Sequence, residues 1–492
     1  MKRSKHSLSH YKLLSCDMGE LVPIGLTEVL PGDTIQQATS ALVRCSPLLA
    51  PVMHPVHVRI HHWFVPHRLV WEDWEDFITG GPDGMDTSVF PTVTMPGVTG
   101  APLGSLADYL GVPTGVAGLK VSALPFRGYA MIFNEWYRDQ DLQAEIPVQF
   151  TSGSDNVTNT ALQNCAWEKD YFTSARPWEQ KGPAITIPLG STAPVVSKNS
   201  DFYLRSTADG TDRIAQMLSP DSYALKAPSM TGATANARWG SQTGLQTDLS
   251  GASAVTVNVL REAMALQRYE EARARYGSRY VEYLRYLSVR SSDARLQRPE
   301  YLGGGKTTLQ FSEVLQTAEG TDPVGEMRGH GISAVRSNRY RRFFEEHGYV
   351  YSFISVRPKT IYAQGLPRTW NRRTKEDFWQ RELQHIGQQE ILNKELYAAH
   401  ANPDGTFGFQ DRYDEYRRTE SSIAGEFRDT LLDFWHMARV FGATPALNAD
   451  FVKCVPTERT FAVPSQDVLY IMANHSIQAR RLVSPVGKSF IY

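Results

Sequence analysis

A mainly β fold, closed by strands from both ends of the chain and carrying its helices in long connections, is what the 492-residue sequence predicts. Three observations lead there. The first 70 residues break into short extended pieces divided by proline. A continuous β-prone run from Tyr349 to Val356 and a closing strand from Val468 to Ile477 stand near the other end. The parallel βαβ alternation that marks a doubly wound sheet is missing between them.

The early pieces are Glu20 to Ile24, Thr27 to Leu30, Thr34 to Arg44 and Val56 to Val65. Pro23, Pro31, Pro47, Pro51, Pro55 and Pro66 sit between or at the edges of these pieces, where a missing N–H harms no central ladder. In the fourth piece Val56, Val58 and Ile60 share one face and His57, Arg59 and His61 the other, the pattern of a half-buried strand. Residues 80 to 125 are rich in Gly, Pro, Thr and Val without helical spacing and suggest a long excursion with turns. A short amphipathic helix is expected within 126 to 144, carrying Phe126, Trp136 and Tyr137.

From about 190 to 252 the composition shifts to Ser, Thr, Gly, Ala and Asp, and scattered Phe202, Tyr203, Leu204, Met217 and Trp239 favour an ordered surface insertion over a linker. The clearest helix runs from Val259 to Tyr276, stopped by Gly277, with Leu260, Ala263, Met264 and Gln267 on one face. A further helix is expected over Asp377 to Ala399, from Phe378, Leu383, Ile386, Leu392 and Leu396.

Length allows about three ordinary domains, but a large β sandwich with insertions absorbs as many residues. Net charge is −1, from 51 Lys and Arg against 52 Asp and Glu, which excludes a global basic footprint and leaves nucleic acid only local patches. Hydrophobic residues at 41% and charged residues at 21% describe a folded chain. Cys16, Cys45, Cys165 and Cys454 form no Cys-x-x-Cys pair, which fits a reducing compartment and disfavours a disulfide scaffold or a zinc ribbon. No apolar run approaches the roughly 20 residues needed to cross a bilayer. Leu13-Leu14-Ser15-Cys16 resembles a lipoprotein cleavage box, but Ser7 to Lys12 is too polar for a signal core, so an unexported, unanchored chain is expected.

The chemical motifs are weak. His54, His57, His61, His62 and His67 cluster, yet on a strand His57 and His61 stand roughly 13 Å apart, and zinc needs donors within about 2.1 Å of itself, so structural or interfacial histidines are expected. Gly303-Gly304-Gly305-Lys306-Thr307 lacks the first glycine and the preceding strand of a phosphate loop, and reads as a flexible turn. Gly329-His330-Gly331-Ile332-Ser333-Ala334 fits a dinucleotide pattern only loosely. No cofactor, metal or catalytic set emerges.

Basic clusters with interleaved aromatics do stand out, in Arg336-Ser337-Asn338-Arg339-Tyr340-Arg341-Arg342 and Arg368-Thr369-Trp370-Asn371-Arg372-Arg373. Cations neutralise phosphates and rings stack on bases, so these suit a single-strand contact surface. Pairing of the same arginines with carboxylates is the competing reading. Lys2, Arg3, Lys5 and Lys12 make a third basic segment, a flexible arm within residues 1 to 15.

A family resemblance runs through the chain in order. Its pieces include Asp17-Met18-Gly19-Glu20-Leu21-Val22-Pro23-Ile24, Glu28-Val29-Leu30-Pro31-Gly32-Asp33-Thr34, Ala50-Pro51-Val52-Met53-His54 and Phe64-Val65-Pro66-His67-Arg68-Leu69-Val70-Trp71. They continue in Ile132-Phe133-Asn134-Glu135-Trp136-Tyr137-Arg138-Asp139-Gln140, Asp293-Ala294-Arg295-Leu296-Gln297-Arg298-Pro299-Glu300-Tyr301, Glu346-His347-Gly348-Tyr349-Val350 and Pro445-Ala446-Leu447-Asn448. Spread over most of the chain, they resemble the major capsid proteins of the Microviridae, the small icosahedral single-stranded DNA phages, and within them the gokushovirus branch.

The resemblance implies one eight-stranded antiparallel jelly roll over residues 1 to 492, enlarged by loops that hold the helices. It implies a non-enzymatic subunit of a T=1 shell, joined through pentamers around packaged single-stranded DNA, in a virion assembled in the bacterial cytoplasm. Implied partners are a small basic DNA-binding protein, a DNA pilot protein, an internal scaffolding protein and a host surface receptor, with no membrane insertion. Lys2, Arg3, Lys5, Arg336, Arg339, Arg341, Arg342, Arg372 and Arg373 are the DNA-facing candidates. Residues 190 to 252 fall where the family carries a host-facing protrusion, which makes Phe202, Tyr203 and Trp239 the host-contact candidates. The alternative is a jelly-roll carbohydrate-binding or hydrolytic β protein.

Overall fold

The computed structural model describes residues 3–185, short strands between 195 and 247, and residues 257–277, 279–317 and 323–485. The chain divides into two compact units, Met1–Glu179 with Ala274–Tyr492, and Gln180–Arg273.

The first unit is built on a ten-stranded antiparallel sheet. Its strands are β1 (Ser4–Ser7), β2 (His10–Cys16), β3 (Val22–Val29), β4 (Thr34–Cys45), β5 (Val56–Pro66), β6 (Glu300–Leu315), β7 (Met327–Arg336), β8 (Tyr340–Phe343), β9 (Gly348–Pro358) and β10 (Leu469–Arg481). Both β1 and β2 pair with β10, and β7 and β8 follow one another along β4. Counting each of those pairs as one broken strand gives the eight-stranded jelly roll, in two layers. One layer runs β1/β2, β10, β4, β7/β8, and the other runs β6, β5, β9, β3. Strand β6 turns the corner: Glu300–Leu309 pairs with β5, whereas Gln310–Leu315 pairs with β7. The expectation of a β fold closed by its termini is met, because His10–Cys16 lies against Leu469–His475.

Side-chain alternation fixes which faces meet. On β10, Leu469, Ile471, Ala473, His475, Ile477 and Ala479 are buried while the residues between them face outward. Two apolar clusters fill the space between layers. One gathers Val22, Ile24, Val43, Val58, Ile60, Ile354 and Ile471, and the other Val29, Ile35, Phe64, Tyr340, Val350 and Ile477. Between them lies a polar level to which β3, β4, β5, β9 and β10 contribute, with Ser337 from the connection between β7 and β8. There the His62 ring bonds Ser352 Oγ at 2.8 Å and Ser337 Oγ at 3.0 Å, and His475 bonds Thr39 Oγ1 at 2.8 Å and the Ile24 carbonyl at 2.9 Å.

The outer face of the second layer is covered by helix α1 (Leu124–Ile132), whose Leu124, Phe126, Tyr129 and Ile132 pack on Trp63, Tyr351 and Phe353. Gly128 makes the approach possible, since a Cβ there would lie 2.1 Å from Tyr351 Oη. This cover explains why β9 is buried on both faces, as its continuous apolar run suggests.

Three readings need correction. The segment expected to be a flexible basic arm is paired strand from Ser4 onward. The helix expected over Asp377 to Ala399 is instead short turns, a hairpin of Gln388–Leu392 with Thr406–Asp411, and one helical turn at Asn393–Leu396. Gly387 at φ +106° interrupts any helix there, and Phe378 and Ile386 are exposed, so the apolar spacing describes no buried face. The Gly303-Gly304-Gly305 run lies inside β6. A Cβ on Gly304 would sit 2.3 Å from the Ile60 carbonyl and one on Gly305 2.3 Å from that of Arg336, so these glycines serve close strand packing.

In the second unit Tyr203–Ser206 is the centre of a three-stranded sheet, flanked by Asp212–Ile214 and Ala237–Trp239. Tyr203 is half-buried opposite Ile214, the Trp239 backbone pairs with Leu204, and Phe202 lies outside the described residues. The expected long helix is present as Val257–Tyr276, with Leu260, Ala263 and Gln267 half-buried and Met264 exposed.

Candidate nucleic-acid interface

The six strands β1, β2, β4, β7, β8 and β10 contain not one Asp or Glu. Because side chains alternate, the cations among them that are not turned into the core gather on the outer face of this layer. The register sets them in rows. Lys5, Arg480, Thr34 and Phe343 stand side by side. Further along come Tyr11, Asn474, Ser40 and Arg336, then Leu13, Met472, Leu42 and Ala334, then Ser15, Tyr470, Arg44 and Ile332.

Most cations of this wall lack a carboxylate partner among the described residues. Among the described residues, Lys5, Arg44, Arg336, Arg339, Arg341 and Arg480 form no ion pair, while Arg328 is held by Glu326 at 2.7 Å. Lys5 directly opposite Arg480 is a like-charge pair that costs stability unless an anion lies over it. Large rings stand among these cations: Tyr11 is 75% exposed, and Tyr470 and Phe343 are also open. The Arg3 guanidinium lies 5.2 Å from the centre of the Phe343 ring and donates to the Gly32 carbonyl at 3.0 Å, which ties the chain's start to the same edge. A cationic surface with exposed aromatics can neutralise phosphates and stack unpaired bases.

Of the residues singled out in the sequence, Arg3, Lys5, Arg336 and Arg341 come together on this wall, with the exposed Arg339 just beyond Arg336. Lys2 lies outside the described residues. Arg342 faces the other way and pairs with Glu300 at 2.8 Å. Arg372 is nearly buried between the Tyr416 and Phe378 rings with Glu415 at 3.7 Å. Arg373 donates to the Trp370 and Arg372 carbonyls of its own loop. Lys12 turns inward onto the Pro23 and Tyr109 carbonyls, and burial lowers its pKa to about 8. Sequence reading missed Arg44, Arg480, Tyr11 and Tyr470. The outward phase of the last strand, which places Tyr470, Met472, Asn474 and Arg480 together, is the signal that finds two of them.

The clustered histidines serve structure. His57 bonds Glu168, His61 bonds Tyr137 Oη at 2.7 Å, and His54 bonds the Lys359 carbonyl at 2.6 Å. Among the described residues no group of three His, Cys, Asp or Glu is placed to hold a metal ion, and no helix is long and apolar enough to cross a membrane.

A two-layered jelly roll is an architecture that viral coat proteins share with lectins and cupins, and cations standing in the open on one layer suit the coat protein among these. The chain belongs to the phage capsid protein (F protein) family, whose model matches residues 1–488. It is 38% identical to capsid protein VP1 of Bdellovibrio phage phiMH2K, over 94% of this chain and 90% of that protein. It is 33% identical to capsid protein VP1 of Chlamydia phage 1, over 95% and 92%, and 32% identical to that of Spiroplasma virus 4, over 94% and 90%. These relatives are gokushoviruses of the Microviridae, and the chain is a structural, non-enzymatic capsid subunit of that kind. The carbohydrate-binding or hydrolytic alternative is not favoured.

Proposed function

We propose that this subunit builds a T=1 icosahedral shell through pentamers and encloses single-stranded DNA, with the acid-free wall turned toward the genome. The observation that carries the reading is the wall itself: six strands without a carboxylate, unpaired cations in register, and open tyrosines between them. Its DNA contacts are Arg3, Lys5, Arg44, Arg336, Arg339, Arg341 and Arg480, with Lys2 at the chain's start. Arg342, Arg372 and Arg373 carry less weight because they are engaged within their own chain.

In this reading residues 190 to 252 are an insertion into a single jelly-roll domain and form the host-facing protrusion, with Phe202, Tyr203 and Trp239 as its contacts. A small basic DNA-binding protein, a DNA pilot protein and an internal scaffolding protein complete the partners, and assembly takes place in the bacterial cytoplasm. Electron microscopy of the chain co-expressed with its viral partners tests the shell. Closed icosahedral particles with five-fold vertices are expected, and a chain that stays monomeric under every assembly condition would overturn the reading.

A further inference from the structure

The outer face of the second layer carries a cleft of about 470 Å³, lined by Arg59, Arg138, Lys169 and Arg357 against only two carboxylates, Asp139 and Glu168. Both carboxylates are already shared. Glu168 answers Arg59 at 2.7 Å, His57 at 3.1 Å and Lys306 at 3.7 Å. Asp139 answers both Lys169 and Arg176.

Arg357 is left over. It is half-buried, its Nη1 donates to the Ala166 carbonyl at 2.6 Å, and among the described residues it has no carboxylate partner. The polar atoms of the lining that lack an acceptor are all N–H groups: Arg59 Nε, Arg138 Nε and Nε1 of Trp167, a residue only 4% exposed. Their unmatched dipoles add to the positive potential. Burial first, then the charges of Arg59 and Arg357, lowers the His61 pKa to about 4, so its ring is neutral at pH 7 and the cleft's positive charge is that of its arginines and lysine.

We infer that this cleft binds a phosphate-class oxyanion, seated against the Arg357 and Arg59 guanidiniums. Guanidinium forks match such oxyanions in charge and geometry. The volume exceeds that of a lone phosphate, so an ester substituent fits beside it. The anion could be a free phosphate compound or one phosphodiester of a nucleic-acid strand. The inference is independent of the acid-free wall, which lies on the other layer.

The test titrates the full-length protein at constant ionic strength with inorganic phosphate, a deoxynucleoside monophosphate and a short oligodeoxynucleotide. Tryptophan fluorescence reports the cleft through Trp136 and Trp167, and melting temperature reports ligand linkage. A saturable response is expected. Saturation by phosphate or the monophosphate identifies a free compound as sufficient, and saturation by the oligonucleotide alone identifies a strand. In either case Arg357→Gln should weaken binding at least tenfold and Lys169→Gln severalfold, while Lys375→Gln, at an exposed lysine that belongs to neither the cleft nor the wall, leaves this response unchanged. Absence of saturation with all three probes would overturn the inference, as would undiminished binding in folded Arg357→Gln or, should that variant not fold, in Lys169→Gln.

Discussion

Gly25 on β3 faces the imidazole of His475 on β10 so closely that a Cβ at position 25 would lie 2.8 Å from the ring's Cε1. The ring cannot retreat, because Thr39 Oγ1 and the Ile24 carbonyl hold its two nitrogens. This contact joins opposite layers of the sandwich at the level where His62, Ser337 and Ser352 also meet. Gly25→Ala should therefore cost about 1–3 kcal/mol, as overpacking does. Urea unfolding of the soluble subunit measures it, and an unchanged midpoint would show that the layers are less tightly registered here.

The same level makes the subunit sensitive to acid. Burial first lowers His62 to about 3, with help from His475 and His61, and burial lowers His475 to about 4, with His10 and Lys12 adding to the effect. Unfolded histidine titrates near 6.5, so below that value the unfolded chain binds more protons than the folded one. Stability should be complete above about pH 6.5 and fall as the pH drops toward 4, with His475 alone accounting for about 3 kcal/mol. Unfolding midpoints across this range should slope downward into acid, and His475→Gln should flatten the slope while lowering stability at pH 7.

Arg127 is fully enclosed, with Nε 2.7 Å from Asp155 and its other nitrogens on the Val70 and Thr151 carbonyls. Burial raises the Asp155 carboxyl, but hydrogen bonds from Thr158 and Arg127 and the guanidinium charge outweigh it and hold the group below the usual carboxylate range. Arg127→Met strands a buried charge and should cost about 3–5 kcal/mol. The Arg138–Glu145 pair, whose glutamate is 71% exposed, is the control: Glu145→Gln should change stability by less than about 1 kcal/mol.

On the cationic wall, charge and stacking separate cleanly. Arg44→Gln and Arg480→Gln should each lower the salt slope of single-stranded DNA binding by about 0.7. Tyr11→Ala should leave the slope unchanged and weaken binding by about 1–3 kcal/mol. Equal slopes in all variants would show that the wall is not where phosphates are neutralised.

Much of the sandwich could be read from alternation alone. Val56, Val58 and Ile60 on one face of β5 and the closing β10 follow from side-chain period, and the doubly buried β9 follows from its continuous β-prone run. Strands β6 and β7 were hidden because Gly303-Gly304-Gly305 and Gly329-His330-Gly331 look like loop, when Gly304, Gly305 and Gly329 admit neighbouring backbone and Gly331 admits the Cys45 and Phe311 side chains. The wall was only half legible for a different reason. Arg336 to Arg342 is a local run, but Lys5 and Arg44 lie on different strands, Arg480 stands more than 400 residues further along the chain, and all three reach one face only through register. The net charge of −1 conceals this segregation, since residues 69 to 119 carry seven acids and no Lys or Arg while the wall carries no acid.

A reconstruction of the genome-filled particle tests the central claim most directly. Arg44, Arg336 and Arg480 should line the inner surface in contact with density for nucleic acid. Finding that face on the outside of the shell, or buried between subunits, would contradict it.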